Sequence, residues 1–252
     1  MLPLAAKENN AFMSLKKVLI TGASRGIGLA IAEKLAGQYR LILHATSAKS
    51  FISNIPNSEI IYADFSDPDQ LNTFCKQFKK DHGDELYAVI NNAGITKDNS
   101  ILFQSEKDID MVIQVNLKAP ILISKTALKI FNQKKAGVII NVSSIVGQTG
   151  NAFQSVYAAT KSGIVAFSKS LAQEVGQLNE EHNIRILSIS PGFIATEMTA
   201  VLPQAEKDKY FNRIPAKRFG NPSDIANLIA FLLSDGGSYI NGTDIHINGG
   251  LL

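Results

Sequence analysis

Cysteine is nearly missing from this chain: Cys75 stands alone among 252 residues, which excludes an intrachain disulfide. Its stretch, LNTFCKQFKK, follows a helical pattern with no nucleophile's partner or metal ligand nearby, so Cys75 is expected as a small core-facing or half-buried side chain. Only four histidines occur (His44, His82, His182 and His246), and they share no ligand spacing, so no metal site is expected. Runs of one charge are absent too. The 25 basic and 22 acidic residues are scattered, the net charge is +3, and Lys16-Lys17, Lys79-Lys80 and Lys134-Lys135 read as solvated surface. That spread argues against a nucleic-acid partner, which needs basic residues gathered on one face. No apolar run approaches the ~20 residues a membrane helix needs. The opening MLPLAAKENNAF has neither a basic start nor a long apolar core, so it makes a poor secretion signal. A cytoplasmic protein is expected, with residues 1–13 as a loose tail and 14–252 as one domain. Repeats, low-complexity tracts and long linkers are missing as well.

What is present is alternation. Short runs rich in Val, Ile and Leu are expected as strands over 17–22, 40–46, 59–65, 86–94, 137–144, 184–192 and 243–249. Between them lie helical patterns at 28–38, after Pro68, at 105–131, 155–177 and 222–235, with Ser66 or Asp67 capping the second. Strands apolar on both faces imply a sheet covered on both sides, and intervening helices make it parallel. The expected fold is α/β: a single doubly wound parallel sheet of about seven strands with helices on both faces. Such sheets bind ligands just beyond the carboxyl ends of their strands.

TGASRGIG (21–28) sits at such a point, ending the first strand and opening the first helix. Gly22, Gly26 and Gly28 leave room for close backbone approach, and the helix N-terminus offers free N–H groups to a pyrophosphate. The alternative is a tight turn with no ligand, but the position after the first strand favours a dinucleotide loop of the Rossmann type. The second strand ends His44-Ala45-Thr46-Ser47, without the carboxylate that holds an NAD ribose. Arg25, Thr46 and Ser47 could instead accept a 2′-phosphate, so the expected cofactor is NADP(H). Asp64 is placed either to touch adenine or to cap the next helix.

SVYAATKSG (155–163) sets Tyr157 one helical turn before Lys161, on one face. A phenol is a poor acid at neutral pH, and a neighbouring ammonium is expected to lower its pKa. Ser143 and Ser144 end the fifth strand, and one of them could polarise a substrate carbonyl. Asn116 falls inside an apolar helical run where Asn is a poor fit. It reads as a kink or buried hydrogen bond, or as the holder of a water linking Lys161 to solvent.

With these residues in view, the chain resembles the short-chain dehydrogenase/reductases over about residues 14–250, through TGASRGIG, NNAG (91–94), Asn116, Ser144, the Tyr157/Lys161 pair and SPGFIATEM (190–198). Within that family it is similar to the 3-oxoacyl-carrier-protein reductases, through NNAGITKDN, IPAKRFGNPSDIANLIAFLLSD and YINGTDIHINGG. The resemblance implies Tyr157 as proton donor, Lys161 on the nicotinamide ribose, Ser144 orienting the carbonyl and Asn116 completing a proton relay. It implies cofactor contacts from Gly22, Ala23, Ser24, Arg25, Gly26, Ile27 and Gly28, and from Thr46, Ser47, Asp64 and Phe65. Asn92, Ala93 and Gly94 would line the adenosine side, and Pro191, Gly192, Ile194 and Thr196 would close over the nicotinamide. The substrate would meet Ser144, Gln154 and Tyr157. A homotetramer and an acyl-carrier partner are also implied, with Lys134 and Lys135 to meet the acidic carrier near the cleft and Glu180 and Glu181 opposing it. The segment 200–213 is expected as a lid. Other ketone substrates, or a non-catalytic cofactor sensor, are the alternatives.

Overall fold

Residues buried on both sides of successive strands set the architecture. In β1 (Lys17–Ile20), Val18 and Ile20 enter one apolar core while Leu19 enters the other. β2 (Arg40–Ala45) repeats this, with Leu41 and Leu43 on one side and Ile42 on the other. A strand sealed on both faces cannot alternate with polar residues, hence the continuous apolar runs. The computed structural model describes residues 16–50, 54–83, 85–178, 181–196 and 204–252, without the side chains of 205 and 206. The expected tail at 1–13 lies outside the described residues.

Seven strands pair in the order β3-β2-β1-β4-β5-β6-β7, every pairing parallel. The others are β3 (Ser58–Tyr62), β4 (Leu86–Asn91), β5 (Ala136–Val142), β6 (Asn183–Pro191) and β7 (Asp244–Ile247). On one face lie α1 (Gly26–Leu35) and the helix Pro222–Leu233, which bring Ile31, Leu35, Ile229 and Leu232 to the core. On the other lie α2 (Pro68–His82), the helical stretch 106–134 and the long helix Ser155–Leu178. Asp67, not Asp64, caps α2: its carboxylate accepts from the N–H groups of Asp69 and Gln70, with Pro68 following it.

Two expectations shift. The strands stop short of their expected carboxyl ends, β1 at Ile20, β4 at Asn91 and β5 at Val142, because the next residues leave the ladder to build the site. The helix expected over 105–131 is three segments: α3 (Glu106–Ile113), a π turn (Gln114–Lys118) and α4 (Ala119–Lys134). The short helix Val146–Thr149 is α5, Ser155–Leu178 is α6, Gln204–Arg213 is α7 and Pro222–Leu233 is α8.

Candidate active site

Beyond the carboxyl ends of β1, β2, β4, β5 and β6 lies a cavity of about 720 Å³. That is within the range of small-molecule and cofactor sites. Its floor is a stitched pair of strand ends. Thr21 Oγ1 accepts from the N–H groups of Asn92 and Ala93, both at 3.0 Å. The Asn92 amide donates to the carbonyls of Thr21 and Gly22, both at 3.0 Å. Gly22 takes a φ of +65°, and a Cβ there would sit 2.8 Å from the Ala93 Cα. A Cβ on Gly28 would lie 2.1 Å from the Gly22 carbonyl oxygen. Both positions therefore exclude any side chain. α1 starts from Arg25 in extended backbone and carries no acid in its first turn, leaving its N-terminus attractive to an anion.

At one end of the cavity are Arg25, Thr46, Asp64 and Phe65; along its middle are Gly22, Ser24, Gly26, Ile27, Asn92 and Ala93. Asp64 does not cap the helix; its carboxylate accepts from the Ser66 N–H at 2.9 Å and hydroxyl at 2.7 Å. Ala23 is fully buried beneath the loop, with its N–H on the His44 carbonyl at 2.9 Å. Ser47 turns away from the cavity to share a hydrogen bond with Ser50 at 3.0 Å. Sequence reasoning passed over His44, whose imidazole also lines the cavity. The Gly22 N–H donates to its Nδ1 at 3.2 Å, Nε2 contacts the Ala63 carbonyl at 2.9 Å, and the ring stacks on Phe65 at 3.8 Å. Burial pushes its pKa down to about 4. The signal was there to be used: a histidine in an otherwise apolar, doubly covered strand has to spend its ring nitrogens on buried groups.

The far end holds Ser144, Tyr157 and Lys161, and also Gly94, which the resemblance puts on the adenosine side but which lies against Lys161; Pro191, Gly192, Ile194 and Thr196 run along the opposite wall. Tyr157 and Lys161 share a face of α6, and the Lys161 Nζ lies 5.6 Å from the centre of the Tyr157 ring. The amine is buried and donates to the Val142 carbonyl at 2.9 Å. Burial brings its pKa down to about 8. Of the two serines, Ser143 is spent on the Lys161 carbonyl at 2.7 Å, while Ser144 hydrogen-bonds Tyr157. Both line the cavity, but only Ser144 meets the phenol.

The lowered tyrosine pKa expected from the sequence is corrected here. Burial of the phenol raises it, the hydrogen bond with Ser144 pulls it down, and the carboxylate of Asp98 raises it again. Desolvation is the largest of these influences and outweighs the Ser144 hydrogen bond.

Asn116 falls in the π turn, where an extra residue lets its amide turn inward. It accepts from the Ile95 N–H at 2.9 Å and donates to the Ile95 carbonyl at 2.8 Å and to Thr160 Oγ1 at 3.3 Å. The buried hydrogen bond is thus present, in a π turn. Asn116 Oδ1 and Lys161 Nζ also flank Gly94, at 3.5 and 3.4 Å from where its Cβ would stand. Gln154 stands outside the cavity lining and donates to Asp98 at 2.8 Å. Of the expected lid, 204–213 forms α7, and Tyr210 stacks on Phe193 at 3.8 Å and reaches Asn151 at 3.4 Å. Residues 197–203 lie outside the described residues, as does Glu180.

Lys134 and Lys135 are not near this cleft. They end α4 beside the start of β5, where the Lys134 amine donates to the Leu86 carbonyl at 2.8 Å and the Asn183 N–H to the Lys135 carbonyl at 2.7 Å. That is the amino edge of the sheet, opposite the cavity, because α4 runs antiparallel to the strands before the chain turns back.

A family model described as enoyl-(acyl carrier protein) reductase matches residues 22–252. Similarity to curated proteins is just as extensive. A 3-oxoacyl-[acyl-carrier-protein] reductase of Haemophilus influenzae is 38% identical over 244 residues, covering 95% of this chain and 99% of that protein. The reductase of the same name from Aquifex aeolicus is 40% identical over 244 residues, covering 94% and 97%. That from Escherichia coli K12 is 36% identical over 241 residues, again covering 94% and 97%. The chain belongs to the short-chain dehydrogenase/reductase family. A short-chain dehydrogenase/reductase is an oxidoreductase that works with a nicotinamide cofactor, and the cavity fits one. Two glycine positions where a Cβ has no space front a helix start free of acids, and the cavity continues from there to the Ser144–Tyr157–Lys161 cluster.

Proposed function

We propose that this protein is an NADPH-dependent reductase of a 3-oxoacyl thioester, carried on acyl carrier protein, yielding the 3-hydroxyacyl product for fatty acid biosynthesis. The observation that carries this reading is the convergence of Ser144, Tyr157 and Lys161 at one end of the cavity whose other end is the glycine cradle. The names of the full-length relatives supply the substrate class. Arg25 and Thr46 at the cradle end, with no carboxylate closing β2, favour the 2′-phosphate of NADP(H).

The bound nicotinamide supplies the hydride. Ser144 and Tyr157 both offer hydroxyl donors to the substrate carbonyl oxygen, drawing charge onto it and leaving its carbon open to attack. As that oxygen gains negative charge it takes the phenol proton, so Tyr157 is the general acid. Lys161 stands beside the phenol, where its charged form holds the ribose and steadies the phenolate left behind. Asn116 ties the NNAG loop to α6 through Ile95 and Thr160, fixing the wall on which the cofactor rests. Buried groups held to backbone partners keep this arrangement in place before substrate arrives.

A second reading keeps the chemistry and changes the carrier. Lys134 and Lys135 sit at the sheet edge away from the cleft, so a carrier protein docked at this chain's own cavity would not touch them. That favours a coenzyme-A thioester or another ketone. A homotetramer in the cytoplasm completes the proposal. The uncovered edge of β7 and the exposed Phe231 and Tyr239 support subunit contacts there. No helix among the described residues is long and apolar enough to cross a membrane.

The deciding experiment compares rates on an acyl-carrier thioester, its coenzyme-A equivalent and simple ketones, each with NADPH and NADH. The carrier thioester with NADPH is expected to be turned over fastest. Failure of every ketone to oxidise either cofactor would leave a sensor as the surviving reading.

A further inference from the structure

We propose that His44 is a positioning residue for the adenosine half of the cofactor, its ring latching the glycine loop to the Ala63–Phe65 wall of the cavity. This rests on the cofactor reading above. His44 is the buried polar residue of β2, only 2% exposed, whereas Arg40 at the strand's start is half-exposed. A buried imidazole needs both nitrogens satisfied, and here each goes to the backbone of a different loop. Because the Gly22 N–H donates to Nδ1, the ring proton sits on Nε2 and is donated to the Ala63 carbonyl. A depressed pKa agrees with this neutral tautomer. Asp64 is the charged neighbour acting on the ring. The ring plane lies 1° from parallel to Phe65, and Phe74 meets it edge-on at 5.5 Å.

Both peptide groups that flank the Gly22 Cα are held. Asn92 holds the Gly22 carbonyl and His44 holds its N–H, so the first turn of the glycine loop is gripped from both sides. The same ring sets the angle of Phe65, which lines the cavity next to Asp64. Beside the backbone bonds from Ala23 to the His44 carbonyl and from Ala63 to the Ala45 carbonyl, loop and wall are thus joined by one side chain, which touches neither the reacting carbonyl nor the Tyr157 cluster.

The test measures equilibrium binding of NADPH and of adenosine 2′,5′-bisphosphate, which is the adenosine half alone, to the wild-type protein and to His44→Leu and His44→Asn. His44→Leu is expected to weaken both ligands by the same factor, about tenfold or more, as two hydrogen bonds of the latch are lost. At saturating NADPH its kcat is expected to stay within about twofold of wild type, since the reacting groups are untouched. His44→Asn keeps an acceptor for the Gly22 N–H and is expected to fall between the two, about threefold weaker than wild type. Folded His44→Leu that binds both ligands like wild type, or that loses kcat with binding intact, would overturn the latch. Should His44→Leu not fold, His44→Asn decides alone: weakened binding supports the proposal and unchanged binding overturns it. A wild-type protein that binds neither ligand removes the cofactor reading and the latch together, whereas tight wild-type binding with indifferent variants removes the latch alone.

Discussion

At the amino ends of the strands, Lys17 meets Glu85 at 2.8 Å, Arg40 joins the same carboxylate at 3.2 Å, and His82 faces Glu59 at 3.1 Å. Arg40, Glu85 and Glu59 are half-exposed while Lys17 and His82 are buried, and the hydrogen bond from Lys17 lowers the Glu85 pKa. At the carboxyl ends, His44, Tyr157 and Lys161 take neutral hydrogen-bond partners instead of carboxylates. Burial is the leading influence on each, and it pushes every one toward its neutral form. The amino edge displays charge where it stabilises little. The carboxyl edge withholds charge, and of its three groups only the Lys161 amine, near 8, is brought close to neutral pH.

The largest break in that comparison is Tyr157→Phe. Turnover is expected to fall about 10²–10⁴-fold, the usual worth of a general acid, with NADPH affinity nearly unchanged. Steady-state rates beside a binding titration check this, and near-normal turnover would remove Tyr157 from the chemistry. The second is direct. With its pKa near 8, the Lys161 amine of the cofactor-free protein is expected to lose its proton between pH 7 and 9, below the usual lysine range. Proton-detected lysine NMR would follow it, and a midpoint above pH 10 would mean the amine is not desolvated as described.

His44 gives the third. Its folded pKa of about 4 lies below the unfolded value of 6.5, so the unfolded chain binds more protons between those limits. Stability contributed at this site is full above pH 6.5 and is lost as pH falls toward 4, by about 3 kcal/mol in all. Urea unfolding across that window, compared with His44→Asn, should show a shallower acid loss in the variant. A smaller effect concerns backbone strain in the loop before α6. Phe153 holds a φ of +67° with an exposed ring, a conformation suited to glycine. Phe153→Gly is expected to stabilise by about 0.5–1 kcal/mol in thermal melts. A lowered melting temperature would mean the ring makes contacts that outweigh the strain. The smallest effect belongs to the amino edge: Glu85→Gln should cost under about 1 kcal/mol and leave kcat/KM untouched. A larger loss there would mean that edge is not the weakly coupled one.

Much of this was legible before any coordinates. Apolar runs alternating with helical patterns were enough for the parallel sheet, because burial on both faces leaves a strand no other composition. The spacing of Tyr157 and Lys161 was enough to put them on one helix face. Ser143 and Ser144 could not be separated from sequence, since both lie past the strand end where alternation stops applying. The direction of the tyrosine shift was misjudged for a related reason. A neighbouring amine is visible in sequence, but the burial of the phenol is not. Lys134 and Lys135 were expected near the cleft, and only the direction in which α4 runs places them at the opposite edge.

By itself the sequence determined the fold class, the glycine turn and the chemistry that the side chains could offer, because hydrophobic periodicity, the absence of a Cβ and functional-group identity are local properties. Only the tertiary structure decided which serine meets the phenol, that His44 bridges two loops, and which way burial moves each pKa. Those depend on what packs around a group from distant parts of the chain, and desolvation in particular is a property of the whole surrounding volume.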